Sequence, residues 1–402
     1  MDYPKSVPSA GLVDGRFVDE DPVAGKPGSL IPARWGNAVT EEIRNAITEA
    51  GLTPKEDLNS QLAMAIRQLS KPDPLQLYPL QVYRKNVLIN GGFDIWQRGS
   101  SNLAPNVGGY IADRFRCDWN GNAGVNIARQ NFSLGQTEVP NEPRHFLRWQ
   151  QIIAGSGATI HQISQSIESV RTLAGSVATL SFWAKSDAPR PLNVSIAQNF
   201  GPGGSAAVAI NVGSFELTTS WARYTSTFQV PSLAGKMLST VDNDFLRLAF
   251  NLPLNALQTV DLAQIQLEAG PVSTPYEYQP VTQQLISCQR YFEKSFNSGL
   301  AIQAGNGTVT SQATFSQVVG ANSRQSGINI PFFVQKRAQA TVSIFSPGDN
   351  SNQVWNQSIA KACTETAVQG YTNRSVAFTT VTAVGSATGH TLQIEWTADA
   401  EL

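Results

Sequence analysis

Histidine, methionine and cysteine are scarce in this chain, with three of each among 402 residues. Cys117, Cys288 and Cys363 are odd in number and far apart, which gives neither a disulfide framework nor a metal-ligand spacing. They read as reduced thiols of a protein made in a cytoplasm. His145, His161 and His390 have no acid or cysteine at motif spacing. Charge is low too. Only 15% of residues are charged and the formal net charge is −1, so electrostatics make no case for nucleic acid or an anionic membrane. No apolar run approaches the roughly 20 residues that a membrane helix needs, so membrane insertion is not expected. The opening MDYPKSVPSAG lacks the basic and apolar regions of a signal peptide. G-x-S-x-G, H-E-x-x-H, the Walker A loop and G-x-G-x-x-G are all missing, as is a β-helix repeat. No enzyme is expected. A carboxylate pair that assembles only in space is the remaining route to glycan cleavage.

What the chain does have is 32 glycines and 22 prolines among many short polar residues, which points to a mainly β protein with polar turns. Its length suggests two or three domains. Residues 1–32 hold Pro4, Pro8, Pro22, Pro27 and Pro32 and read as an extended arm. The arm is either a disordered tail or a peptide that orders on another protein, with Phe17, Val18, Leu30 and Ile31 to bury. Two short helices are expected next. The first carries Trp35, Val39, Ile43, Ala46, Ile47 and Ala50 at helical spacing and ends at Gly51. The second starts at the TPKED box, with Thr53 as cap and Glu56 completing it, and carries Leu58, Leu62, Ala65, Ile66 and Leu69. Two short helices cannot build a core alone, so their stripes need the next domain or copies of themselves.

From about residue 85 the pattern becomes period-two. Ala178, Leu180, Phe182 and Ala184 share one face of a strand, and Thr179, Ser181, Trp183 and Lys185 the other. Many such strands between turns predict a β-sandwich, best matched by a jelly roll. NVLINGGFDIWQRG (86–99) and VDLAQIQLEAG (260–270) read as its opening and closing strands. Residues 281–402 again alternate, in GTVTSQATFSQVV, INIPFFV, QATVSIFS, SVAFTTVTAV and TLQIEWTA, and predict a small C-terminal β-sandwich tip. The expected domains are therefore 1–80, 81–280 and 281–402.

VLINGGFDIWQRG, ADRFRCDW, LSFWAKSD, TTSWARYTSTFQVP, LAQIQLEAG and TPYEYQP together resemble carbohydrate-binding-module jelly rolls, in the version found in tail fibres of tailed bacteriophages. QLISCQRYF resembles the junction that follows it in such fibres, and SLIPARWGNAVTEEIRNAITEAGLTP with DLNSQLAMAIRQL is similar to their particle-attachment regions. The resemblance spans about residues 28–296. It implies a virion protein made in the host cytoplasm, a homotrimer with its N-terminus on a tail, baseplate or collar protein. Its far end would meet a bacterial surface polysaccharide. A collar or neck fibre with a mainly structural role and a depolymerase spike are the alternatives.

Trp35, Val39, Ile43, Ile47, Leu58, Leu62 and Ile66 are the candidates for virion attachment or oligomerisation. For glycan stacking the candidates are Trp119, Trp183, Trp221, Trp355 and Trp396, with Phe332, Phe333 and Tyr371 open to the same reading. Each aromatic could equally be a sheet-face or interface residue. The resemblance also implies a structural Ca²⁺ held by Asp94 and Asp261, carboxylates of the hardness that ion prefers. The other reading has Asp94 capping a turn and Asp261 facing solvent.

Overall fold

The computed structural model describes residues 7–69, 85–99, 108–297, 300, 302, 305, 313–316 and 320–402, with residues 313–316, 326, 327 and 371 described by backbone only. The chain divides into two compact units, residues 1–82 and 83–402. The expected elements within 70–80 and within 307–312 and 317–319 lie outside the described residues.

In the first unit the arm is not extended. A 3-10 turn (Pro8–Ala10) and two tight reversals at Val13–Arg16 and Asp21–Lys26 fold it back. Ser29 staples the fold. Its Oγ accepts from Val18 N and donates to Gly11 O, at 2.9 and 2.7 Å. Pro and Gly break regular structure, but they also favour turns, and here the turns win. Phe17 meets Trp35 edge-on at 5.3 Å. Helix α1 (Ala33–Glu49) ends as expected, with Gly51 at φ +75°. Helix α2 (Gln61–Leu69) begins later than the TPKED box implies. The Gln61 side chain accepts from Lys55 N and donates to Thr53 O, both at 2.7 Å, so it fixes residues 53–60 as a loop. Among the described residues of this unit, Ile47, Ala50 and Ala65 form the core cluster, with Leu52 against it.

Among the described residues the second unit opens with the strands β1 (Gly109–Tyr110), β2 (Arg116–Trp119), β3 (Gly124–Asn131), β4 (His145–Ile153), β5 (His161–Glu168), β6 (Val177–Ser186), β7 (Arg190–Asn199), β8 (Val208–Leu217), β9 (Ala222–Gln229), β10 (Phe245–Asn251) and β11 (Gln258–Ala269). They form a six-stranded sheet in the order β1-β2-β5-β10-β7-β8 and a five-stranded sheet in the order β3-β4-β11-β6-β9. The result is a jelly-roll-type sandwich. Ala178, Leu180, Phe182 and Ala184 are fully buried between the sheets, as their alternation predicts. Each large side chain buried in this way contributes roughly 1.5–3 kcal/mol.

The opening stretch seals the sandwich against β11. Val87 N donates to Leu267 O, and Leu267 N to Asn86 Oδ1, at 2.9 and 3.0 Å. β11 slips its register against β6 between Ala263 and Gln266, with Gln264 at φ +45°. That bulge frees Ile265 N to donate to Gly91 O at 2.9 Å. A Cβ on Gly91 would fall well inside contact distance of the Ile265 carbonyl oxygen, so only glycine allows the approach.

Helix α3 (Val281–Gln289) leads, among the described residues, to the strands β12 (Phe292–Lys294), β13 (Ala313–Ser316), β14 (Arg324–Pro331), β15 (Thr341–Phe345), β16 (Trp355–Asn356), β17 (Lys361–Ala362), β18 (Thr364–Tyr371), β19 (Ser375–Val381) and β20 (Thr391–Asp399). β20 is central and pairs with β12, β13, β15 and β16, while β14, β19 and β18 form a three-stranded sheet. Phe378, Ile394 and Trp396 lie in the core of this smaller sandwich. It is joined firmly to the jelly roll. Arg98 reaches Asp399 and Glu401, Arg114 pairs with Glu401, and Tyr110 OH donates to Leu402 O at 2.6 Å. The Arg98 guanidinium lies over the Phe292 ring and that of Arg114 over Tyr291. Arg290 and Tyr291 both bond Glu168.

Candidate functional site

Two outward faces of the jelly roll could meet a ligand. That of the five-stranded sheet is taken by the chain itself. Phe132 and Val139 cover Phe146, Trp221 and Ala263, with Trp183 packed alongside. Pro140 O accepts from Gln264 Nε2. Further along, Arg223 donates to Ser273 and Thr274, Thr179 to Gly270 O, and Thr274 to Glu268. The TPYEYQP region is thus a strap over this sheet.

The six-stranded sheet has a different outer face. Register places Ser164, Ala249 and Ser195 in one row across β5, β10 and β7, continued by Arg116 on β2 and Asn211 on β8. Ser164 and Ala249 are short and buried. On one side runs a longer row, the half-exposed Asp118, Gln162 and Asn251, then the exposed Asn193. On the other side lie Ser166, Arg247 and Ala197, followed by Glu168, Phe245 and Asn199. Ser166 and Ala197 are short too, so the short residues extend over two rows with Arg247 standing among them. They are bounded by the polar row on one side and by Glu168, Phe245 and Asn199 on the other, which makes a trough running across the strands. Its side chains hold one another in place. Gln162 Nε2 donates to Asn251 Oδ1 at 2.8 Å, and Asn251 Nδ2 to Ser195 Oγ at 3.2 Å. Arg116 donates twice to Asp118, which raises the guanidinium pKa further. The trough opens near a depression of about 430 Å³ lined by Gln162, Asn193, Asn251, Ile160, Pro191 and Pro253. Amides and hydroxyls that both donate and accept, fixed on a rigid sheet, suit a polyhydroxylated ligand.

None of these residues is among the sequence candidates. Trp119 is 4% exposed and packs edge-on against Trp149 inside the sandwich at 5.8 Å. Its polar neighbours Asp118 and Asn120 suggest a surface loop, but alternation along β2 sends Arg116 and Asp118 out and Cys117 and Trp119 in. Trp396 is 2% exposed and packs on Phe332. Both are core residues, a correction to the stacking expectation. Trp221 is 8% exposed, with Lys185 Nζ 5.2 Å from its ring, and Trp183 is half-buried in the same covered cluster. Trp355 is half-buried against Gly348, and its Nε1 donates to Gln357 at 3.2 Å. Phe333 is exposed. The Tyr371 side chain lies outside the described residues. The outward row Phe245, Arg247, Ala249 and Asn251 is readable in FLRLAFN by alternation. That it borders a trough depends on cross-strand register.

The calcium expectation fits poorly. Both Asp261 oxygens accept from Arg148, at 2.8 Å each, and Asp261 is 2% exposed rather than facing solvent. Asp94 Oδ1 bonds His145 Nδ1 at 2.7 Å. No group of three or more potential ligand residues gathers among the described residues. Two carboxylates engaged separately do not make the six to eight oxygen ligands that Ca²⁺ takes. The three thiols are free and buried, and burial pushes those of Cys117 and Cys288 up, which makes them inert.

The attachment candidates divide. Ile47 is buried, Trp35 and Val39 are half-buried, and Ile43, Leu58, Leu62 and Ile66 are exposed. Ile43, Ile47, Leu58 and Leu62 line a groove of about 660 Å³.

No family model and no curated protein matches this chain. Among solved structures it is similar to a CBM4 module, at 22% identity and a TM-score of 0.28, over 45% of this chain and 98% of that one. It is similar to the xylan-binding CBM22-2 domain from Paenibacillus barcinonensis Xyn10C, at 17% identity and a TM-score of 0.26, over 39% of this chain and 92% of that one. It is also similar to the enzymatically active domain of bacteriophage CBA120 tailspike protein 4, at 14% identity and a TM-score of 0.30, over 46% of this chain and 22% of that one.

Proposed function

We propose that this chain is a non-enzymatic phage fibre protein that binds a bacterial surface glycan through the trough on its six-stranded sheet. The observation that carries this is the contrast between the two sheets. One outer face is strapped over by the chain, and the other presents ordered amides, hydroxyls and an arginine around a row of short residues. The strap reads as structure and the trough as the working surface. In this reading the two-helix unit joins copies and attaches them to a tail, baseplate or collar protein. Ile43, Leu58, Leu62 and Ile66 are the residues that need a partner, because a core of Ile47, Ala50 and Ala65 is too small to hold the unit alone. Equivalent residues of two further copies cover them in a homotrimer, and three weak glycan sites then act together.

Each part has its own test. The full chain should be retained on purified bacterial surface polysaccharides, and Asn251→Ala with Gln162→Ala should weaken retention. Light scattering should give three copies, and Leu62→Asp with Ile66→Asp should give one. Release of reducing ends from a bound polysaccharide would replace this reading with a depolymerase. A trimer that binds no glycan would instead favour a collar or neck fibre with a structural role.

A further inference from the structure

We infer that the trough takes an anionic polysaccharide, and that Arg247 receives the acid group of the sugar. The inference rests on the glycan-binding reading of this face and narrows it. Arginines near the trough are already engaged. Arg116 is held by Asp118, Arg114 by Glu401 and Arg290 by Glu168. Arg247 is different. Its Nε donates to Ser166 Oγ at 3.3 Å, and its guanidinium lies over the Phe245 ring, 4.8 Å from the centroid. No carboxylate pairs with it among the described residues. The acids of the face are Asp118, Glu168 and Glu216. The first two are each held by an arginine, and Glu216 lies on β8 at the register of Pro191, three outward positions along from the Arg247 row, so no acid faces Arg247 in its own row among the described residues.

Position and preparation both matter. Arg247 stands two residues from Ala249 on the same side of β10, so it borders the short row directly. Across that row lie the neutral groups of Gln162, Asn251 and Asn193. A sugar chain along the trough would turn hydroxyls to one wall and a carboxylate or phosphate to the other. The Phe245 ring and Ser166 hold the guanidinium stem, while neither terminal nitrogen has a hydrogen bond among the described residues. A guanidinium held this way loses little freedom on binding and matches an oxyanion in a two-point fork. A surface arginine kept only for solubility would need neither the ring nor the hydroxyl.

The test uses the full chain on an array of neutral, uronate-bearing and phosphate-bearing bacterial polysaccharides, followed by calorimetry on the best ligand. The expected ligands are acidic, and the array shows whether carboxylate or phosphate is preferred. Arg247→Gln should weaken binding about 10- to 100-fold, the range for a hydrogen bond to a charged group. Arg247→Lys should recover part of the loss, because charge returns without the fork. Neutralising the acid groups of the ligand should weaken wild-type binding as much as Arg247→Gln does, and should then make the two proteins equal. That arm needs no variant to fold. Binding confined to neutral glycans, or equal affinity of wild type and Arg247→Gln, overturns the inference while leaving the glycan reading intact. Failure of the wild-type chain to bind any glycan overturns both.

Discussion

Gly91→Ala is the sharpest test of how the jelly roll closes. Gly91 has no unusual φ, so the substitution adds no backbone strain of its own. The new methyl would meet the carbonyl oxygen of Ile265, which is backbone and cannot rotate away. The opening stretch must therefore lift off the β11 bulge. Overpacking of this kind costs about 1–3 kcal/mol. The lift also weakens the Ile265 N to Gly91 O bond, and the Asn86 Nδ2 to Ile265 O bond at 3.0 Å, each worth about 1 kcal/mol in a buried setting. The expected loss is about 3–5 kcal/mol, which lowers Tm by roughly 5–8 °C for a unit spanning residues 83–402. Gly370→Ala is the control, since a Cβ there meets nothing within 4 Å, and it should stay within about 0.5 kcal/mol of wild type. Calorimetry on both variants decides the matter. A Gly91→Ala Tm within about 2 °C of wild type would refute the view that the sandwich is sealed by this backbone approach.

Three further outcomes follow from the same geometry. Trp119→Ala should cost about 3–5 kcal/mol in urea unfolding, because it empties a core site, while leaving glycan affinity unchanged below the transition; a specific loss of binding by a fully folded variant would put Trp119 back in the site. Chelator should leave Tm unchanged, because Arg148 occupies both Asp261 oxygens; a chelator-dependent fall with stoichiometric calcium would contradict this. Burial alone would raise the Glu168 carboxyl, but hydrogen bonds from Arg290 and Tyr291 outweigh it and hold the pKa below the usual value. A carboxyl lowered in the folded state stabilises above its unfolded value, about 4.3, and that stability disappears as pH falls through the folded value. The advantage of wild type over Glu168→Gln should therefore be present at pH 6, at most about 1 kcal/mol for so exposed a pair, and fall away as pH is lowered below the unfolded value and through the folded one. A gap that does not change with pH would refute the assignment.

Period-two alternation, turn residues and helix stops are local, so they are legible in sequence. Ala178, Leu180, Phe182 and Ala184 are buried as expected, and Gly51 ends α1 where expected. NGGFDIWQRG reads as an opening strand against VDLAQIQLEAG. The contact with β11 is there, but residues 86–99 run as turns and irregular chain, because the Gly91–Gly92 break and the Asn86 and Asn90 side-chain bonds replace a regular ladder. Errors arose where local chemistry had a competitor elsewhere. The Thr53–Glu56 box is a sound helix start, but the Gln61 amide holds the same backbone in a loop. Trp119 sits among polar neighbours, but strand direction turns it inward. Asp261 has the chemistry of a calcium ligand, but Arg148 on the next strand takes it.

Sequence by itself determined the class of this protein: mainly β, low in charge, with short N-terminal helices and two β-rich regions after them. Those properties depend on composition and on neighbours along the chain. Only the tertiary structure decided which sheet face is strapped over and which is left uncovered among the described residues. It also decided that Ser164, Ala249 and Ser195 align as a short row and that Arg247 stands beside them with no acid partner among the described residues. These facts depend on register between strands far apart in sequence, and a one-residue slip would turn every one of those side chains to the other face.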